Sequence, residues 1–546
     1  MERTGLADAA ASFAAGPIPR GAMLWAVIAA LSLAPRMVAL TSSSEATMPP
    51  DAAHFLNVAR CLERGQGFST MEAWPAWIDP PRLPMPETWK EPAYPCLIAA
   101  LERIGVEPYA AGRALSFLAG SLLPLVVGAL ASRLGASRPA AVLAALIVAG
   151  SPLMVGLSAA VLSESCFSLC IAVAFLAASW RYRSKPGPTR DAAMDSLAAA
   201  AFAVAYLFRS QATLAIPALA WLLVRGRPLR SWLPRLGAAT LVALFVLVPW
   251  MDRNLKLFGV PFYSDAPLHG AWPYVDTILL SHGLERPASP FSVALAHPWA
   301  VVAHTLRSWR VFVFSALPRE LFGNPFGMVG LALTPFACRG RWSVWGFAAL
   351  DALVTIAFFM PLDWTSRYFA STMTGIALLA AAGLAWVGRR LDERSRGSWP
   401  GAPALATIVL VTLAAAAPLA WSAYLAAHPA TQSSIDSVAA RGETSFLRAQ
   451  LQPDEAVMTD VGSYWTWFLD RPSVHWVVAD SVRFDATMRR LKVRWAAIPT
   501  SEIPALAAHY PGHRLPSSLI AVRLDQSQHE QLYRVVPAAP ATGEAR

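Results

Sequence analysis

Apolar residues in this chain run in long blocks separated by short polar breaks. A helix needs about 20 mostly apolar residues to cross roughly 30 Å of hydrocarbon. Eleven blocks are read as spans on that basis, near residues 21–40, 112–132, 139–160, 164–181, 192–208, 210–225, 234–251, 325–338, 342–361, 368–388 and 402–425. Residues 297–318 carry Arg307 and Arg310 inside an apolar pattern, which suits a helix lying in the interface rather than crossing it. After residue 426 the pattern changes. Short strand-like runs at Ala456–Thr459, His475–Ala479, Trp495–Ile498 and Leu519–Leu524 alternate with helical stretches at Ser463–Leu469 and Phe484–Leu491, predicting a small α/β domain. The fold class expected is therefore a mainly α, polytopic membrane protein with a C-terminal α/β domain, and no repeat of 20 to 50 residues is visible.

Basic residues in the short loops set the orientation. Arg133 and Arg138, then Arg181 to Arg190, Arg225 to Arg230, Arg339 and Arg341, and Arg389 to Arg396 fall on one side. The alternate loops hold Arg209 and Arg367 singly, or nothing basic at all. This predicts a cytoplasmic tail over 1–20, a transmembrane domain over 21–425 with large outer loops at 41–111 and 252–324, and an extracytoplasmic domain over 426–546. No cleavage site follows the first apolar block, so it is read as a retained span.

Composition agrees. The 546 residues are 55% hydrophobic and only 15% charged, against about 25% charged in soluble domains, which excludes a soluble enzyme. The net charge of +10 is spread in small groups between apolar blocks, so no nucleic-acid partner is expected. The five cysteines lack CxxC spacing. Cys61 and Cys96 share one outer loop, where a bridge and two free thiols both remain open.

Several charged groups do not belong in a bland bundle. Arg36, Arg113, Arg209, Arg253 and Arg367 lie near the outer ends of spans, either snorkelling to headgroups or together forming an anion-binding mouth suited to phosphate. Asp51 stands where a helix would begin, as a first-turn acid or as a carboxylate able to take a proton from a hydroxyl. His54 could share its face; solvation is the simpler reading, and Asp51 with His54 is a weak candidate pair for a divalent metal. In the proline-rich stretch Glu87 to Pro95, Lys90 could neutralise phosphate and Glu91 could supply a second carboxylate. Glu164 sits in an almost loop-free turn after Ser163, a helix-start acid or a site residue.

These residues resemble the GT-C glycosyltransferases, in particular bacterial relatives of protein mannosyltransferases and lipid A aminoarabinose transferases. The likeness rests on Asp51 through Gly67, a first-loop aspartate and a helix ending in Gly-x-Gly; on Lys90 to Pro95; on Ser163 and Glu164; on Pro249, Trp250, Arg253 and Asn254; and on Arg367 with Tyr368. The chain departs from it in having Asp51-Ala52 where two acids are common and His54-Phe55 where tyrosine is usual. The resemblance implies Asp51 as general base, Glu164 as a second catalytic carboxylate, and Lys90, Glu91, Arg253, Arg367, Tyr368 and Arg36 around a donor phosphate, with no certain cofactor beyond a divalent metal left open. It further implies a polyprenyl-phosphate sugar donor, a lipid, glycan or protein acceptor, inversion at the anomeric carbon, and a place among the lipids of a bacterial inner membrane. The rival expectations are a transporter or flippase of an anionic lipid, which calls for midplane charges and paired repeats, and a silent scaffold.

Overall fold

The computed structural model describes residues 20–45, 48–73, 82–180, 187–264, 295–340, 342–362, 365–395, 442–459, 462–475, 481–500, 503–508, 510, 512, 514–522 and 530–537. The expected span at 402–425 and residues 265–294 of the expected second outer loop lie outside them.

Ten of the expected spans coincide with helices. They are α1 (Arg20–Ser42), α4 (Pro108–Arg133), the pair α5 (Arg138–Ala149) and α6 (Pro152–Ala159), α7 (Glu164–Ala178), α8 (Pro188–Phe208), α9 (Ile216–Val224), α10 (Trp232–Phe258), α12 (Phe326–Ala337), α13 (Trp342–Phe359) and α14 (Met373–Ser395). Between α1 and α4 lie α2 (Pro50–Glu63) and α3 (Ala93–Glu102), and α11 (Pro298–Val311) precedes α12. The count of eleven full spans does not hold among the described residues. Four helices are long and apolar enough to cross a membrane unaided, and five if the α5–α6 pair is one bent span. Several of the others are short because the sequence interrupts them. At Gly150, Ser151 and Pro152 the chain turns by 52°, with the Ser151 hydroxyl accepting from the Met154 N–H and Pro152 opening the next helix without the N–H it lacks. After Arg209 the chain makes a 3₁₀ turn over Ser210–Ala215 before α9 begins.

Within the bundle α12 and α14 approach until their backbones meet. A Cβ added to Gly383 would lie 1.9 Å from the Gly330 carbonyl oxygen. Small residues permit such approach where the apolar driving force between helices is weak.

The C-terminal domain has the α/β form expected. Its helices are α15 (Gly442–Gln450), α16 (Gly462–Leu469), α17 (Ser481–Arg490) and α18 (Ile503–Ala508). Of the two first-loop strands that form a small antiparallel pair, β1 (Ser69–Thr70) and β3 (Met85–Pro86), neither enters the main sheet. That sheet runs β2 (Glu72–Ala73), β5 (Ser473–His475), β4 (Ala456–Thr459), β6 (Val493–Pro499), β8 (Glu530–Val535) and β7 (Leu519–Val522). The first four are parallel neighbours and the last two antiparallel. Buried Phe484 and Met488 of α17 cover one face; Leu447 of α15 and Trp465 of α16 cover the other. The strand β2, contributed by the segment between α2 and α3, was not foreseen. Two residues are too few to carry an alternation signal, and their partners Ser473 and Val474 lie far away in the sequence.

The domain rests on α2 through α16. Asn57 donates to the Ser463 carbonyl at 2.9 Å, the Tyr464 hydroxyl donates to the Met48 carbonyl at 3.0 Å, and the Arg60 guanidinium lies 4.0 Å over the Trp467 ring. Asp470 accepts from Arg60 at 3.1 Å and Arg64 at 2.8 Å. Cys61 and Cys96 are free thiols, Cys61 buried and Cys96 exposed.

Candidate functional site

α2 begins at Pro50, whose fixed φ suits a first helical position, and Asp51 occupies its first turn. The helix stops at Gly65 and Gly67, both at φ above +70°, a conformation that glycine alone adopts freely. The Asp51 carboxylate does not cap the helix. One oxygen accepts from the Lys90 ammonium at 2.6 Å and the other from Arg367. Arg367 arrives on a 3₁₀ turn, Ser366–Phe369, that joins the end of α13 to the start of α14. Its guanidinium also lies 3.8 Å from Glu164, the first residue of α7, and Arg209, at the end of α8, lies 2.9 Å from the same Glu164 oxygen. Ends of four separate helices therefore converge, and they are ends the alternation of spans had put on one side.

Three cations face two carboxylates here. Glu164 is buried, and its oxygens have no partner aligned for a hydrogen bond, so Arg209 and Arg367 act on it by proximity of charge. Burial alone would raise the Asp51 pKa, but the adjacent Lys90 and Arg367 hold it well below the usual carboxylate range. For Arg367 burial pulls the other way, and Asp51 and Glu164 outweigh it to push the guanidinium pKa upward. The Tyr368 ring lies 5.5 Å from the Arg367 guanidinium and 5.9 Å from that of Arg209, stacked on Phe359. Glu91 accepts from the Ser210 backbone N–H at 2.8 Å, so it fastens the turn next to Arg209 instead of pointing a free carboxylate at a ligand.

The mouth of five arginines is not what the fold builds. Arg209 and Arg367 meet at the acids; the other three are spent on backbone carbonyls. Arg36 is fully buried and donates to the carbonyls of Ser32 at 2.8 Å, Ala149 at 3.0 Å and Val148 at 3.4 Å, with the Ser158 hydroxyl at 3.1 Å. It satisfies the carbonyl end of α5 at the bend, where the helix dipole favours a cation, so its expected place beside a donor phosphate is corrected to an internal one. Arg113 donates to the Leu40 carbonyl and to the Ser43 hydroxyl. Arg253 makes none of the Asp51 or Glu164 ion pairs; it donates to the Phe68 carbonyl at 3.1 Å and the Glu87 carbonyl at 2.7 Å, with its guanidinium 4.7 Å from the Trp250 ring. It thus holds the loop that carries Lys90.

His54 is not solvated. It is buried between Glu72 and Glu87, with Nδ1 and Nε2 each 2.8 Å from a carboxylate oxygen. Burial would lower its pKa, yet Glu87 and Glu72 raise it to about 10, so both ring nitrogens donate. That geometry does not fit a metal shared with Asp51: both His54 nitrogens are directed at Glu72 and Glu87, and both Asp51 oxygens face cations. Among the described residues, no group of three or more His, Cys, Asp or Glu is arranged to hold a metal ion.

The comparisons with known proteins agree with this architecture. Residues 92–262 match the family model of dolichyl-phosphate-mannose-protein mannosyltransferases. No curated protein matches the sequence. ArnT from Cupriavidus metallidurans, bound to undecaprenyl phosphate, is similar over 95% of this chain and 99% of that one, with a TM-score of 0.56 and 15% identity. The oligosaccharyltransferase AglB from Archaeoglobus fulgidus, in complex with an inhibitory peptide and a dolichol-phosphate, is similar over 89% of this chain and 71% of that one, with a TM-score of 0.58 and 14% identity. The arabinofuranosyltransferase AftD from Mycobacteria gives a TM-score of 0.51 at 15% identity, over 95% of this chain and 42% of that one. The chain therefore shares its fold with ArnT and AglB.

Proposed function

We propose that this protein is an integral membrane glycosyltransferase that takes a sugar from a polyprenyl-phosphate carrier and transfers it to a lipid, glycan or protein acceptor outside the cytoplasm. The observation that carries the reading is the Asp51 carboxylate held between Lys90 and Arg367 where helix ends converge. The match to the mannosyltransferase family and the likeness to ArnT and AglB, described with polyprenyl phosphates bound, support the same chemistry.

In this reading the acceptor hydroxyl attacks the anomeric carbon and the bond from that carbon to the phosphate oxygen breaks. The hydroxyl proton passes to Asp51, and the electron pair leaves on the polyprenyl phosphate. One displacement of this kind inverts the anomeric centre. Lys90 and Arg367 face the charge growing on the leaving phosphate, and preorganised cations in a poorly hydrated pocket stabilise such charge without reorganising. A phosphate that engages both cations also loosens their hold on Asp51 and raises its basicity, so donor binding primes the base. Glu164 keeps Arg209 and Arg367 at the site, Tyr368 packs between them, and Arg253 supports the Lys90 loop from behind.

The converging ends face outward in this reading, because the basic loops fall at the opposite end of the bundle, where Arg227 pairs with Asp191 at 3.3 Å and Arg235 pairs with Asp195. A bacterial inner membrane suits a carrier of this class.

The test is sugar transfer in proteoliposomes from a panel of radiolabelled polyprenyl-phosphate sugars. Transfer by the wild type, lost in Asp51→Asn, is the expected result; removing a general base typically costs about 10²- to 10⁴-fold. Full activity in Asp51→Asn, or movement of the intact lipid across the bilayer without transfer, would overturn the assignment.

A further inference from the structure

The contact between Lys90 and Asp51 closes a ring. Asp51 and His54 lie three residues apart on α2, hence on one face of the helix. The His54 Nε2 donates to one Glu87 oxygen at 2.8 Å, and the other Glu87 oxygen accepts the backbone N–H groups of Trp89 at 2.6 Å and Lys90 at 2.9 Å. From that anchored backbone the Lys90 side chain returns to Asp51. The ring is fastened from outside as well. His54 Nδ1 donates to Glu72, whose carboxylate also accepts from the Ser463 hydroxyl at 2.8 Å and lies 2.9 Å from His475 Nε2, so the C-terminal domain grips the same histidine.

Buried ions of this kind are poor stabilisers compared with well-packed apolar residues, because desolvation offsets most of their attraction. The side chains of His54 and Glu87 are 7% and 1% exposed. A loop that needed only to be held down could be held by apolar contacts. What the ions add is direction: a lysine has four rotatable bonds and no fixed geometry of its own, and its ammonium is aimed only if its backbone is fixed relative to the helix that bears Asp51.

We infer that His54 and Glu87 are positioning residues that set the Lys90 ammonium against Asp51, Glu87 by fixing the Lys90 backbone and His54 by tying Glu87 to the helix of the carboxylate. Neither reaches the reacting atoms: the His54 nitrogens and the Glu87 oxygens are engaged with each other, with Glu72 and with the loop backbone. The inference rests on the glycosyltransferase reading, because it gives Lys90 the donor phosphate as its object.

A double-mutant cycle tests it. Groups that act through one another are non-additive, whereas independent structural losses multiply. Glu87→Ala is expected to lower kcat/KM for the donor by about 10- to 100-fold, since displacement of a positioned group by about 1 Å costs on that order. In a Lys90→Ala background the same change is expected to cost less than about twofold, because there is no ammonium left to misplace. Glu87→Gln keeps a carbonyl oxygen for the two N–H groups and donates its amide N–H to Nε2 of a neutral His54, and is expected to stay within about fivefold of wild type. If Glu87→Ala does not fold, His54→Gln is carried through the same cycle, with Tm recorded for every variant. The cycle is repeated on the dissociation constant for undecaprenyl phosphate, with the same non-additivity expected. Losses that multiply in the Lys90→Ala background, or wild-type kinetics in folded Glu87→Ala, overturn the inference. A wild type that neither transfers sugar nor binds undecaprenyl phosphate overturns the functional reading instead.

Discussion

Asp51→Asn should abolish transfer and at the same time tighten the grip on the donor phosphate. The amide keeps the size of the side chain and removes its charge. Lys90 sits 2.6 Å from one Asp51 oxygen, so a phosphate oxygen taking up the same ammonium from the far side comes within about 5 to 6 Å of the carboxylate. Two unit charges at that distance repel by about 3 kcal/mol at an effective dielectric constant of about 20. The Asp51 side chain is 23% exposed, which screens the repulsion to roughly half. Removing the carboxylate should therefore tighten undecaprenyl phosphate binding by about 1.5 kcal/mol, about tenfold, while transfer falls by about 10²- to 10⁴-fold. Titration of the purified variant with undecaprenyl phosphate, beside single-turnover transfer in proteoliposomes, measures both. The opposite signs are the point. If Asp51→Asn weakens binding along with transfer, the carboxylate is holding the cations in place or touching the donor directly, and the separation of base from phosphate cradle is wrong.

Other consequences are local. Arg36→Met should lower Tm, since it strips the guanidinium from the buried Ala149 carbonyl at about 1 to 3 kcal/mol for an orphaned group; the donor KM of the folded variant should not change, and a raised KM would return Arg36 to the phosphate site. Gly383→Ala should cost about 1 to 3 kcal/mol because its Cβ meets the Gly330 backbone, whereas Gly388→Ala, in the same helix with open space around it, should not lower Tm. Because the His54 pKa is raised to about 10 from an ordinary 6.5, its contribution to stability is fully present below pH 6.5 and is lost as pH rises through 10; the Glu72 and Glu87 pKa values are lowered despite burial, so their contribution is present above about pH 4.5 and disappears on acidification below it. Tm measured across pH should fall at both ends, and His54→Gln should remove the alkaline fall. Arg60→Ala should destabilise more than Arg64→Ala, because Arg60 also covers the Trp467 ring and donates to its carbonyl, while Arg64 makes a half-exposed ion pair worth about 0.2 to 1 kcal/mol.

The parts of this molecule that were legible in the sequence are those written in short-range pattern. Apolar blocks placed ten spans, short strand-like runs placed β4, β6 and β7, and the order of the spans put Asp51, Glu164, Arg209 and Arg367 at ends expected on one side, which the fold brings together. What pattern could not supply was the partner of each charge. Arg36 and Arg367 look alike as lone arginines near span ends, yet one is absorbed by carbonyls freed at a helix break more than a hundred residues away and the other meets a carboxylate. The break itself was visible as Gly150, Ser151 and Pro152; its adjacency to Arg36 was not. His54 was misjudged for the same reason. On its helix it stands among Asp51, Asn57, Arg60 and Glu63, which reads as solvation, and only the return of Glu72 and Glu87 from a folded loop makes it an imidazolium between two acids. Glu87 lay beside Lys90 in a stretch already suspected of function, and a carboxylate three residues before a lysine, with prolines on either side, is the one available hint that the loop supplies its own anchor. A cation near a membrane surface is therefore informative about a binding site only after the carbonyl ends of broken helices have been given their share, because those ends attract positive charge as surely as a phosphate does.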